Sequence, residues 1–224
     1  MTEAWMQTET SRVGDLMTPH AGMVDFVTDI PNHLARLPRF NGATGGGPYS
    51  VAQHCVLGVD AILAETGSIV VARAFLLHDA HESYCGDLIT PVQWAIAIRA
   101  GRALAKMMNG GPTVERVGKA LVRDAIAGLK HDLDSAIYEA AGEPWPLPPE
   151  VSKRVHDWDL RMLAAERAQL LCPSPHPWHP DFETIEPAHL RGRISIWPWP
   201  RAAAEWRARF TQLFPQHIAA RAAA

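Results

Sequence analysis

Ser50-Val51-Ala52-Gln53 is a helix start: the serine hydroxyl can accept the backbone N–H three residues on, and the glutamine there can reach back. Thr90-Pro91-Val92-Gln93 repeats the signal, with proline where a first-turn N–H is not needed. Between such starts and the glycines or prolines that follow them, the sequence predicts helices over about 50–65, 69–84, 90–107, 113–129, 149–172 and 200–220, with a short helix near 134–141. Residues 1–33 read as irregular because Pro19 and Pro31 interrupt them. Asn41 to Pro48 is a glycine-rich loop, and 172–199 is a loop rich in Pro, Trp and His. No run alternates apolar and polar residues, so no sheet is expected. The expected fold class is all-α, a single domain spanning 1–224.

Composition narrows the class. At 224 residues, 47% hydrophobic and 20% charged, the chain can bury a sizeable core and is not a disordered or coiled-coil sequence. It has no apolar window of about eighteen residues, so no membrane span is predicted. Met1-Thr2-Glu3-Ala4-Trp5 has neither the basic start nor the apolar stretch of a secretory signal. Three cysteines, Cys55, Cys85 and Cys172, argue against a disulfide framework and for a reducing cytoplasm. The net charge of -3 is unevenly spread: six arginines and one acid follow Pro187. That excess reads as a solvated helix face or subunit contact, with phosphate or nucleic-acid binding as the alternative.

Chemistry concentrates in Phe75-Leu76-Leu77-His78-Asp79-Ala80-His81-Glu82-Ser83-Tyr84, where an apolar helix abruptly carries four ionisable groups. Buried charge is costly unless paired or metal-bound. On a continuous helix His78 and Glu82 share a face, and Asp79 lies about 100° round from them. His54 sits on a packing face of the preceding helix, where a lone histidine is more often core. Asp159 lies between Val155 and Met162 on a stripe that continues to Glu166; its bland reading is a surface acid paired with Arg161 or Lys153. Together His54, His78, Asp79 and Asp159 form a two-histidine, two-carboxylate set that suits Zn, Co, Ni, Mn or Fe without choosing among them.

The order His54, His78-Asp79, Asp159 resembles the HD-domain metal-dependent phosphohydrolase superfamily. Arg39-Phe40-Asn41-Gly42, Tyr49-Ser50-Val51-Ala52-Gln53-His54, the block from Leu77 to Asp87, and Thr90-Pro91-Val92 are similar to its branch of bacterial 5′-deoxynucleotidases and phage dATP triphosphohydrolases. The resemblance spans roughly 5–171. It implies an HD-fold helical bundle with one divalent metal held between helices by His54, His78, Asp79 and Asp159. It implies that Glu82 handles protons beside the attacking water with Asp87 in support, that Arg39 contacts a substrate phosphate, and that Thr90 lines the phosphate site. The implied enzyme is a nucleotide hydrolase acting on 2′-deoxynucleotides. Its first form is a dNTP triphosphohydrolase of dATP type, in which metal-activated water attacks the α-phosphate and an additional Mg accompanies the triphosphate. A 5′-nucleotidase acting on deoxynucleoside monophosphates is the alternative, and a non-catalytic nucleotide-binding module is the third reading. The expected partners are a nucleotide and further copies in a homo-oligomer, with no membrane and no nucleic acid. The expected location is cytoplasmic, or host cytoplasm for a viral gene.

The chain departs from the branch at Ala43, where a histidine is common, at Gln93, which replaces a frequent lysine, and at Trp158 before the ligand-position aspartate. The competing pairs His156-Asp157 and His131-Asp132, and the histidines His176 and His179 in a proline-rich stretch, are read as decoys.

Overall fold

The computed structural model describes residues 4–217, among which nine α-helices, two short 3-10 helices (Ala21–Met23 and Arg39–Gly42) and one small hairpin account for the regular structure. Strands β1 (Trp5–Gln7) and β2 (Val13–Asp15) pair antiparallel, with Met6 opposite Gly14. The helices are α1 (Asp29–Arg36), α2 (Val51–Thr66), α3 (Ile69–Leu77), α4 (Glu82–Cys85), α5 (Thr90–Met107), α6 (Pro112–Ala141), α7 (Pro149–Leu170), α8 (Pro180–Glu183) and α9 (Trp199–Leu213). The chain is mostly helical, as its capping pattern predicts.

Helix α2 runs through the centre of the core. Val51, Val56, Val59 and Ile62 are fully buried, and α1, α3, α7 and α9 pack around it. From α9, Trp206, Phe210 and Leu213 face inward, and Phe26 stacks on Phe210 at 4.3 Å. The C-terminal arginines serve this packing: Arg209 holds Asp60 of α2 through two hydrogen bonds of 2.7 and 2.8 Å, and Arg207 donates to the Val27 carbonyl.

One glycine sets the distance between α2 and α3. A Cβ on Gly58 would lie 2.1 Å from the Phe75 ring, so the ring fills the space a side chain would need. Phe75 in turn packs against His54 and His78, with ring centroids at 5.5 and 4.4 Å. Gly58→Ala is therefore expected to lower stability by about 1–3 kcal/mol, the cost of overpacking a filled core. A thermal melt of the two proteins checks this.

Several boundaries differ from the sequence reading. Of the segment 1–33 expected to be irregular, the described residues 4–33 hold the hairpin and the start of α1, and residues 1–3 lie outside the described residues. Pro31 is in the first turn of that helix, where its missing N–H is not needed. The three-residue strands are too short to show alternation, so the sheet escaped a periodicity search. Predicted helix 69–84 stops at Leu77. Ala80 N–H then bonds Leu77 O and Glu82 N–H bonds Asp79 O, three-residue turns that replace the helical ladder. The predicted helices 113–129 and 134–141 are one continuous α6, since nothing between them breaks a helix. Ser50 caps α2 as predicted by accepting Gln53 N–H, but Gln53 does not close the box. Its amide donates to Ser195 O and accepts Trp197 N–H, pinning the long loop to α2. That loop includes the short α8. Helix α9 ends at Leu213, and residues 218–220 of the predicted 200–220 helix lie outside the described residues.

Candidate metal centre

His54 lies in the first turns of α2, His78 caps the end of α3, Asp79 begins the following turn, and Asp159 lies midway along α7. The fold brings these four residues together. His54 Nε2 is 3.3 Å from Asp159 Oδ1 and 3.9 Å from Asp79 Oδ2; His78 Nε2 is 3.2 Å from Asp79 Oδ2 and 3.7 Å from Asp159 Oδ1. Donor atoms about 2.1 Å from a common ion stand roughly 3.0–3.4 Å from one another at octahedral or tetrahedral angles. The cluster thus needs little adjustment to hold one.

The opposite ring nitrogens explain why these two atoms are available. His54 Nδ1 is 2.5 Å from Glu166 Oε1, and His78 Nδ1 is 2.6 Å from the Phe75 carbonyl. An imidazole that donates from Nδ1 presents an Nε2 lone pair. Both Nε2 atoms, and Asp159 Oδ1, are buried without a hydrogen-bond partner among the described residues. Buried polar atoms are rarely left so, and a cation would satisfy all three.

Glu166 is the residue the sequence reading did not assign. It is fully buried, accepts the Tyr49 hydroxyl at 2.8 Å and orients His54. Its signal was its place seven residues after Asp159 on one α7 stripe. Carboxylates behind a metal-ligating imidazole typically contribute 10–100-fold to metal affinity. Glu166→Gln is expected to weaken divalent-metal affinity by about that factor with the fold intact. Calorimetric titration with Mn or Zn beside circular dichroism checks it.

Arg39 lies closer to the acids than a pure substrate contact would. Its Nη1 is 3.1 Å from Asp79 Oδ2, its Nη2 3.9 Å from Asp159 Oδ1 and its Nε 3.3 Å from Glu166 Oε2. Its backbone is held by a hydrogen bond to Tyr49 O. The next two residues, Phe40 and Asn41, have φ of 56° and 50°, a left-handed turn in non-glycine residues. Such strain concentrates where surrounding structure enforces a geometry, here the inward aim of Arg39.

The electrostatics divide the acids into two kinds. Burial opposes ionisation of Asp79 and Asp159, but His78 and Arg39 for the first, and His54 and His78 for the second, hold both far below the carboxylate range. Burial also opposes charge on the two histidines, yet Asp79 and Asp159 lift His78 well up, and Glu166 and Asp159 lift His54. Glu82 goes the other way. Burial, then Asp79 and Asp87, push it up to about 9, and its Oε2 is buried without a partner. Asp87 is raised by burial and by Asp79, against the pull of Arg39.

Other placements are mixed. His78 and Glu82 do not share a helical face, because the chain between them turns at three residues. Thr90 is exposed at the start of α5. Pro91 has no N–H, and those of Val92 and Gln93 bond Ile89 O, so the helix start offers phosphate at most the Thr90 amide. Cys55 could complete a second set with His78 and Asp79, but burial raises its thiol to about 11 and disfavours the thiolate a metal takes. His81 is buried against Asp134 at 3.0 Å, tying the turn to α6. His131, His156, His176 and His179 are exposed and apart from the cluster.

Fold and site together define a mostly helical protein with a His/carboxylate cluster suited to one divalent cation. No family model matches the sequence. It is 30% identical over 214 residues to Uncharacterized protein RCAP_rcc00048 of Rhodobacter capsulatus, the match covering 93% of this chain and 95% of that one, and it belongs to the family of that protein. It is also 31% identical over 144 residues to Uncharacterized protein YfdR of Escherichia coli, covering 64% of this chain and 60% of that one. Neither name carries an activity, so function is argued from the site. No described helix is long and apolar enough to cross a membrane.

Proposed function

We propose that this protein is an HD-type, metal-dependent phosphohydrolase of 2′-deoxynucleotides. The observation that carries the reading is the pair of buried, hydrogen-bond-free Nε2 atoms of His54 and His78 set against the Asp79 and Asp159 carboxylates. These four residues would hold the ion, which when bound supplies Lewis acidity toward phosphate and acidifies water. The chain does the rest. Glu166 fixes the His54 ring, and Phe75 O fixes that of His78. Glu82, protonated near neutrality, gives or returns a proton at its carboxyl, and Asp87 sets the field around it. Arg39 offers a guanidinium fork to phosphate oxygens by giving up part of its hold on Asp79.

The triphosphate form, releasing intact triphosphate, is what the resemblance of the Arg39 and Tyr49–His54 blocks to the phage-type proteins implies. The monophosphate form is the second reading; Arg39, Lys130 and His54 are among the cations whose fields reach Glu82 or Asp87. The test is product analysis with each deoxynucleoside triphosphate and monophosphate under Mn, Co, Zn or Mg, resolving nucleoside, orthophosphate, pyrophosphate and triphosphate. Nucleoside with intact triphosphate establishes the first form, and monophosphate turnover alone the second. Tight nucleotide binding without turnover under every metal sinks the hydrolase reading and leaves a binding module.

A further inference from the structure

Glu166 lies between a metal-ligand histidine and the arginine of the phosphate contact. Its Oε1 is saturated, taking the Tyr49 hydroxyl at 2.8 Å and His54 Nδ1 at 2.5 Å. Its Oε2 accepts no hydrogen bond, although the residue is fully buried. Arg39 Nε stands 3.3 Å from that oxygen and is itself buried without a hydrogen-bond partner. A donor and an acceptor therefore face each other at a separation a hydrogen bond can span, with the N–H out of line.

The other edge of the guanidinium accounts for the misalignment. Arg39 Nη1 donates to Asp79 Oδ2 at 3.1 Å, and Nη2 lies 3.9 Å from Asp159 Oδ1. The backbone beneath is fixed. Residues 37–39 pair with 49–51, Arg39 N–H bonding Tyr49 O and Val51 N–H bonding Leu37 O. Tyr49 thus holds the Arg39 main chain with its carbonyl and Glu166 with its hydroxyl. The guanidinium alone changes place between the two acids.

We infer that Glu166 is a positioning residue for the substrate phosphate as well as for the metal: it takes the Arg39 Nε–H once Asp79 Oδ2 serves the cation, and so aims the Nη1 and Nη2 edge at phosphate oxygens. This role rests on the phosphohydrolase reading and deepens it. Three features carry it. Closing the Nε contact satisfies two buried polar atoms at once, and such atoms are rarely left unmade. A guanidinium anchored at Nε still presents a two-donor edge, which phosphate accepts as a fork. And Asp79 cannot serve both partners with one atom: the Oδ2 that accepts Nη1 is also the oxygen 3.2 Å from His78 Nε2 and 3.9 Å from His54 Nε2. One carboxylate then spans both binding events, and by linkage each ligand tightens the other.

The test is calorimetric titration of inorganic phosphate into the full chain, with Mn saturating every variant, in a double-mutant cycle of Arg39→Ala and Glu166→Gln. Saturation removes the effect of Glu166 on metal affinity, and any distortion of the metal site is common to both backgrounds. Arg39→Ala is expected to weaken phosphate about tenfold to a hundredfold, as loss of a charge-assisted pair does. Glu166→Gln should weaken it about tenfold while Arg39 is present, and by less than about twofold once residue 39 is alanine. Circular dichroism checks each fold. If Arg39→Ala does not fold, Arg39→Lys takes its place, since a lysine keeps a cation among the acids but cannot hold Glu166 and a phosphate together. Equal losses in both backgrounds, or none from Glu166→Gln, overturn the inference and leave the hydrolase reading standing. A metal-loaded parent that binds no phosphate, or whose binding Arg39→Ala leaves unaltered, removes the phosphate contact from the hydrolase reading and the inference with it.

Discussion

His78→Ala should reduce divalent-metal affinity by a hundredfold or more and, on the hydrolase reading, take turnover to background. Ligands placed behind the metal already contribute about 10–100-fold, and His78 would touch it. In the unsubstituted protein, metal at about a hundred times its dissociation constant should stabilise by about 2.7 kcal/mol, a rise of roughly 5–10 °C in Tm for a domain of this size. The variant should lose that rise while its metal-free Tm changes less, since His78 is set among acids that Arg39 also holds. The pH dependence carries the sign. Both histidines are raised above the ordinary imidazole value, so without metal their contribution is full below about 6.5 and lost as pH climbs through the raised values. Asp79 and Asp159 are depressed, so theirs is present above about 3.8 and lost as pH falls through the lowered values. Metal displaces the imidazole protons and should bind about ten- to a hundredfold tighter per pH unit while both titrate. The metal-induced rise in Tm should therefore grow from pH 5 to pH 8. A rise independent of pH, or one that survives in His78→Ala, would place the metal elsewhere.

The parts of the site legible in the sequence were those that advertise themselves chemically. His78-Asp79 stood out because charge followed an apolar helix, and Asp159 because an acid interrupted an apolar stripe. His54 was legible only in company, since alone it looks like a core histidine. Glu166 and Tyr49 were not assigned, because their role is to hold another residue's proton, and one sequence does not show which side chains meet across 112 and 117 positions. The end of α3 was missed for a related reason. No glycine or proline marks Leu77; the turn is set by where His81 meets Asp134 and where His78 meets the cluster. The basic region shifted as well. The sequence drew attention to the C-terminal arginines, which the fold spends partly on Asp60 and Val27 O, while an equal cationic excess lies on helix α5 and the first half of α6.

Glu82→Gln is expected to move stability and activity in opposite directions. The folded protein holds the Glu82 carboxyl neutral up to about 9, chiefly through burial and then through Asp79 and Asp87. The unfolded chain releases that proton near 4.5. Between those values the folded state binds one proton more, so stability falls as pH rises, by up to about 1.4 kcal/mol per unit. At pH 7 the accumulated cost is on the order of 3 kcal/mol. Glutamine is neutral in both states and removes it. The amide must still satisfy a position where Oε2 has no partner, so the net gain should be nearer 1–2 kcal/mol. In chelated protein, the Glu82→Gln variant should therefore melt several degrees above the parent at pH 8 and converge with it toward pH 4.5. Turnover should fall by about 10²–10⁴, the usual contribution of a positioned proton carrier. A buried acid kept uncharged against its own solvation is a cost that packing alone would not retain, and its removal separates the two explanations. If the variant is more stable and inactive, Glu82 is there for proton transfer; if it is less stable at every pH, Glu82 is a structural acid and the proton must be handled by Asp87 or not at all.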